Sequence, residues 1–258
     1  MSGTSPWLVS PQWLADRLGE VEAARRGRGL GEQLLDPTMR RTPTAYYCEQ
    51  SGIGHAIESL SSDTAHRIGI VGLGAGTLAV YGRSGDELRL YEINEQVLDA
   101  AHSQFTYLSD TSAMTTAVLG DARLMLERES SQQFDLLAID AFSGDSIPVH
   151  LITLEAIQIY LRHLKSEGIL AVHITNHYLD LQPVMAAAAE HFDRVALVFD
   201  LNPTDETPFC RHSIWTLLVP REMLSHLPTP LEDGKQLQAS PRFRPWTDSF
   251  SNLLAVLQ

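Results

Sequence analysis

The stretch Arg67-Ile68-Gly69-Ile70-Val71-Gly72-Leu73-Gly74-Ala75-Gly76-Thr77 decides how the rest of the chain is read. A short run with the apolar character of a buried strand leads straight into glycines at 72, 74 and 76, and a helix-forming stretch follows. Such a turn lets the backbone reverse tightly and lets a ligand approach with no Cβ in the way, while the helix start offers free N–H groups. The spacing separates two ligand classes. A dinucleotide turn is G-x-G-x-x-G and needs glycine at 77, where Thr77 stands. The G-x-G-x-G found here is the form usual for enzymes that bind S-adenosylmethionine. Gly72, Gly74 and Gly76 are therefore read as the backbone cradle of an adenosyl-sulfonium donor.

Outward from this turn the pattern is regular. Apolar β-type runs fall at 67–72, 88–92, 115–119, 134–139, 168–174, 194–199 and 213–219, with helical stretches near 76–83, 94–104, 121–128, 151–164 and 180–191. Strands apolar on both faces and alternating with helices imply a parallel sheet covered on both sides. The last run follows a loop without helical character, so it is expected to enter as a hairpin and lie antiparallel. The expectation is an α/β, Rossmann-like fold of the class I methyltransferase type, with seven strands, one of them reversed. Residues 64–258 would form this domain, and 1–63 a short N-terminal unit. Within that unit Ser10-Pro11 can start a helix running to about Ala24, and 32–60 reads as small strands or irregular chain around Pro37, Pro43 and Gly52.

In open α/β sheets, ligands bind outside the carboxyl ends of the strands. Four such ends here carry polar or glycine features: the turn itself, Glu92, Gly120-Asp121-Ala122 and Asp140. Glu92 is placed to accept from the ribose hydroxyls, Asp121 with Ala122 to meet the adenine, and Asp140 to face the reactive side. The loop that follows, Asp140-Ala141-Phe142-Ser143-Gly144-Asp145-Ser146-Ile147-Pro148, brings a second carboxylate. Asp140 and Asp145 are the expected catalytic pair, positioning or deprotonating an amine. Asp145 and Ser146 also fit a helix N-cap, as does Thr153. Asn176 and Tyr178, beyond the fifth strand, are candidates for the acceptor side. His55, His150, His173 and His177 read as hydrogen-bonded structural groups, since none has a carboxylate at metal-ligand spacing. Trp246 and Phe250 read as cover for the core.

The bulk composition narrows the class further. The 258 residues are 44% hydrophobic and 20% charged, with a formal net charge of −13. Such a surface argues against nucleic acid and is compatible with a small cationic acceptor. Apolar runs are too short to span a bilayer and no secretory pattern opens the chain, so a cytoplasmic location is expected. Cys48 and Cys210 are the only cysteines; so far apart in sequence, they are not read as a disulfide framework or a metal site, and no metal is expected.

Taken together, Gln33-Leu34-Leu35-Asp36-Pro37, Pro43-Thr44-Ala45-Tyr46-Tyr47, Ser51-Gly52-Ile53-Gly54, the glycine turn, Tyr91-Glu92-Ile93, Gly120-Asp121-Ala122-Arg123, Asp140-Ala141-Phe142 with Asp145-Ser146-Ile147-Pro148, His173-Ile174-Thr175-Asn176 and Trp246-Thr247-Asp248 resemble the spermidine/spermine synthase family of aminopropyltransferases. The likeness is closest to the synthase-like domain fused to transporter-type segments in bacteria, and it covers about residues 30–257. The resemblance implies decarboxylated S-adenosylmethionine as donor, an amine acceptor, methylthioadenosine as by-product and a homodimer. It implies that Gln33 touches the donor, that Tyr47 and Glu49 shape the acceptor site, and that Asp145 activates the amine. The family's glycine turn carries an aspartate where Ala75 stands here, and its gate after the fourth strand is shorter. Ala75 removes the partner of the decarboxylated donor's ammonium, so ordinary S-adenosylmethionine stays open as donor. Two alternatives accompany the transferase reading: an S-adenosylmethionine-dependent methyltransferase or cleaving enzyme, and a non-catalytic nucleoside-binding subunit.

Overall fold

The computed structural model describes residues 31–34, 36–142, 147–205 and 207–257. The helix expected over 11–24 and the expected catalytic residue Asp145 lie outside the described residues. The seven expected strands are present as β1 (Arg67–Val71), β2 (Glu87–Glu92), β3 (Met114–Leu119), β4 (Phe134–Ile139), β5 (Leu164–His173), β6 (Arg194–Leu201) and β7 (Ser213–Pro220). An eighth, β8 (Lys235–Gln236), was not expected; two polar residues give no periodicity to read. The sheet order is β3-β2-β1-β4-β5-β7-β6-β8. Strands β1 to β5 pair in parallel, and β7 runs antiparallel between β5 and β6, as its loop-led entry implied.

Alternation along the buried strands builds two cores. Val71, Leu137, Ile139, Leu170 and Val172 point to one face, where they pack with Ile157, Tyr160, Val184 and Trp246. Ile68, Ile70, Leu136, Ala138 and Ala171 point to the other, against Ile53, Leu78, Trp215 and Leu217. Truncating any of the fully buried leucines to alanine would cost about 2–5 kcal/mol, through lost burial and the cavity left behind.

Helices follow where local chemistry starts them. Asn94 caps α2 (Glu95–Gln104) by accepting from Gln96 N–H, and Asp121 caps α4 (Ala122–Arg128) by accepting from Leu124 N–H. The four-residue α3 (Tyr107–Asp110) lies between them. Thr153 caps α5 (Leu154–Arg162), and α6 (Gln182–His191) carries a proline in its first turn. The stretch after the glycine turn, Thr77–Tyr81, is a single 3-10 segment rather than the α-helix expected over 76–83.

The N-terminal unit departs from expectation in two ways. Instead of small strands, 52–58 forms α1 (Gly52–Glu58), capped by Ser51 and with Ile53 and Ala56 fully buried. Its glycines do not break the helix. A Cβ at Gly52 would press on Trp215 and Phe199, and one at Gly54 on the Cys48 and Glu49 carbonyls, so both allow close approach. Second, Cys48 and Cys210 are joined by a disulfide, with Cα atoms 5.7 Å apart. Sequence distance misled here. Ala45 N–H donates to the Phe209 carbonyl at 2.8 Å and Arg211 N–H to the Ala45 carbonyl at 2.9 Å, and this ladder sets the two cysteines side by side. Among the described residues no helix is long and apolar enough to cross a membrane.

Candidate functional site

The glycine turn leaves β1 with Gly72, Gly74 and Gly76 at φ of 90°, 52° and 79°. All three lie in the left-handed region that side chains disfavour. At Gly72 a Cβ would also collide with the Asp140 carbonyl, so the turn and the end of β4 are in direct backbone contact. Glu92 holds the turn from β2: its Oε2 accepts from Leu73 N–H at 3.0 Å and its Oε1 from Asn94 N–H at 2.9 Å. Each oxygen keeps a further lone pair for a ligand hydroxyl. Ala75 is buried, and a Cβ on Gly31 would meet the Ala75 Cβ at 2.7 Å. Gly31 thus packs tightly against the turn at Ala75.

Asp140 follows β4 and is nearly enclosed. Its Oδ2 accepts from the Tyr47 hydroxyl at 2.6 Å, and its Oδ1 lies 2.6 Å from His173 Nδ1. His173 ends β5. The pairing Ile139↔Val172 makes Asp140 and His173 lateral neighbours, one residue further along parallel strands. The imidazole stacks on Trp215, with ring centroids 4.5 Å apart and planes 5° from parallel. Phe142 and Tyr46 close on it at 4.8 and 5.3 Å. Thr175 Oγ1 sits 2.6 Å from His173 Nε2 and accepts from Ile214 N–H at 2.8 Å. Burial, and then the adjacent Asp140 charge, push the Tyr47 phenol well above its ordinary value, so it remains a donor.

The other expected residues are distributed unevenly. Asp121 spends Oδ1 on its helix cap, and its Oδ2 faces His150 Nε2 at 3.8 Å. Ala122 is buried in the first turn of α4. A cleft of about 700 Å³ opens on this side, lined by Arg123, His150, Thr153, Asp248 and Phe250. Arg123 bonds the Asp248 carboxylate, which holds that carboxyl below the usual range. Gln33 is buried, but its amide is occupied: Nε2 donates to the Arg40 carbonyl and Thr106 Oγ1, and Oε1 accepts from Thr106 N–H. Glu49 is exposed, and its charge acts on the Tyr81 hydroxyl. Asn176 Oδ1 accepts from the backbone N–H of Tyr178 and Leu179, shaping the loop after β5, while Tyr178 is 69% exposed.

His173 and Trp215 are what sequence reasoning passed over. For His173 the missing signal was register: a histidine and an aspartate ending adjacent parallel strands are neighbours, although nothing in their linear spacing says so. Trp215 comes from a strand that follows in sequence but inserts between β5 and β6.

Three comparisons bear on this arrangement. No family model matches the chain. A curated polyamine aminopropyltransferase of Vibrio vulnificus (strain CMCP6) is 32% identical over 114 residues, which are 42% of this chain and 37% of that protein. The chain therefore matches little more than a third of that relative's length. Among solved structures, a probable spermidine synthase from Corynebacterium glutamicum ATCC 13032 superposes with a TM-score of 0.57 at 18% identity, over 78% of this chain and 79% of that one. The human methyltransferase-like protein 13, solved in complex with SAH, gives 0.51 at 16% identity, over 76% and 93%. The structural likenesses establish the Rossmann-like methyltransferase fold. The sequence likeness is to a polyamine aminopropyltransferase, in keeping with the family that the motifs resemble.

Proposed function

We propose that the chain is a spermidine synthase-like transferase, moving an aminopropyl-type group from an adenosyl-sulfonium donor to a small cationic amine and releasing methylthioadenosine. The observation that carries this reading is the enclosed Asp140 carboxylate, braced by Tyr47 and His173 directly beside the Gly72–Gly76 turn. A fixed negative pole next to a sulfonium cradle suits a reaction between two cations, which would otherwise repel each other.

In this reading Gly72, Gly74, Gly76, Glu92, Asp121 and Ala122 hold the adenosyl part. Gln33 supports that pocket through Thr106. Asp140 and Tyr47 orient the amine, with Glu49, Asn176 and Tyr178 at the rim, and Asp145 takes the departing proton. The amine lone pair forms the new C–N bond as the C–S electrons return to sulfur, leaving a neutral thioether. Sulfonium is already a good leaving group, so the protein supplies alignment and exclusion of water. No metal has a part in it. Homodimeric assembly belongs to the same reading by resemblance, and a cytoplasmic location is proposed beside it. The Cys48–Cys210 bridge tests the latter, because such bridges are rare in reducing compartments.

Ala75 favours a second reading, with intact S-adenosylmethionine as donor and methyl transfer as the reaction. One experiment separates the readings. The protein is incubated with each donor, with and without putrescine or spermidine, and the adenosyl products are read by mass spectrometry. Amine-dependent methylthioadenosine supports the proposal. S-adenosylhomocysteine means methyl transfer. Donor binding without either product leaves a nucleoside-binding subunit.

A further inference from the structure

We infer that His173 is a positioning residue: Thr175 holds it as the neutral Nδ1–H tautomer, and it in turn fixes the Asp140 carboxylate as an anchor for the cationic amine. The inference rests on the transferase reading for the identity of the ligand, but its geometry stands without it.

The direction of each proton follows from giving every donor in the cluster an acceptor. Ile214 N–H points at Thr175 Oγ1, 2.8 Å away, and takes one of the hydroxyl's two lone pairs. Among the described contacts the hydroxyl proton has one acceptor, His173 Nε2 at 2.6 Å, and is satisfied only when that nitrogen is bare. A nitrogen that accepts carries no proton, so the neutral ring holds its proton on Nδ1. That N–H faces Asp140 Oδ1 at 2.6 Å. The second oxygen receives the Tyr47 hydroxyl at the same distance. Asp140 therefore accepts two short hydrogen bonds, one on each oxygen, and together they fix the orientation of the carboxylate.

The ring has little freedom to choose otherwise. The His173 and Asp140 side chains are 3% and 6% exposed. Trp215 lies flat against the imidazole and is itself tied by its Nε1–H to the Tyr46 carbonyl at 3.1 Å. The carboxylate already has each of its oxygens occupied by one donor. Its role is then electrostatic, and the proton shed on C–N bond formation goes to another group.

The test reads the ring nitrogens of the full chain by 15N NMR in the wild type and T175V, and compares the turnover of three His173 variants. The expected spectrum shows His173 with Nδ1 protonated and Nε2 bare, and T175V abolishes that preference. In H173N the amide nitrogen replaces Nδ1, whereas in H173Q it replaces Nε2. H173F keeps the stack on Trp215 and loses both bonds. Amine-dependent turnover should fall on the order of tenfold to a hundredfold in H173Q and H173F, with H173N recovering most of it and donor affinity unmoved. A protonated Nε2 overturns the inference whatever the activity, and so does an equal loss in H173N and H173Q. If the wild-type protein makes no transfer product, the transferase reading fails by itself, and the nitrogen spectrum still decides the tautomer.

Discussion

The glycine turn and the Asp140 cluster lie side by side, yet they are built in opposite ways. The turn is one continuous segment whose three glycines adopt positive φ and whose support, Glu92, comes from the next strand. The cluster draws Tyr47, Asp140, His173 and Trp215 from four separate places along the chain. Conformational freedom of the backbone makes the first, and tertiary packing of side chains makes the second. A local device tolerates a drifting partner, whereas an assembled one fails when any contributor moves.

The sharpest way to break this comparison is at Asp140. D140N should lower amine-dependent turnover by about two to three orders of magnitude, the range of a lost electrostatic group at a reacting centre, while donor affinity changes little. Equal loss of donor binding, measured by calorimetry, would mean that turn and cluster are one unit. Next comes the covalent tie. C48S/C210S should lose about 2–5 kcal/mol of stability in urea titrations, with acceptor kinetics disturbed more than donor binding. This follows because Tyr46 and Tyr47 directly precede the bridged Cys48. A smaller effect is expected at Glu92, which receives two turn-side N–H groups. E92Q should weaken donor binding by about 1.5–3 kcal/mol, as hydrogen bonds to a charge are lost, and should leave the cluster's chemistry intact.

The smallest effect lies outside both regions. Asp248 is held below its ordinary value, chiefly by its hydrogen bond to Arg123. A depressed carboxyl contributes stability that is present above its unfolded value and is lost as pH falls through the folded one. The pair is partly exposed, so the contribution is about 0–1 kcal/mol. The wild-type advantage over D248N in acid unfolding should therefore be complete above about pH 4 and fade at more acid pH, as the folded carboxyl takes up its proton.

The same contrast explains what the sequence made legible. The turn, the strand-end acids and the reversed β7 are all signalled by neighbours in the chain, and the fold follows from them. Residues whose roles depend on meeting a distant partner were not legible. His173 looked like an isolated histidine until β4 and β5 were in register, and Cys48 and Cys210 looked unrelated until the Ala45 ladder joined their segments. Gln33 shows the reverse case: the resemblance set it against the donor, whereas its amide is taken up by Thr106 and Arg40.

The insertion of β7 between β5 and β6 sets an order of events during synthesis. Strands β1 to β5 can pair as they leave the ribosome, because each finds its neighbour already made. The gap beside β5 stays open until Ser213–Pro220 emerges, and only then does His173 gain Trp215 beneath it and the Ile214 N–H that orients Thr175. A nascent chain halted just before that strand would carry a formed glycine turn beside an unfinished Asp140 cluster. On the transferase reading, the cradle for the donor would thus arise earlier in the life of each molecule than the anchor for the amine.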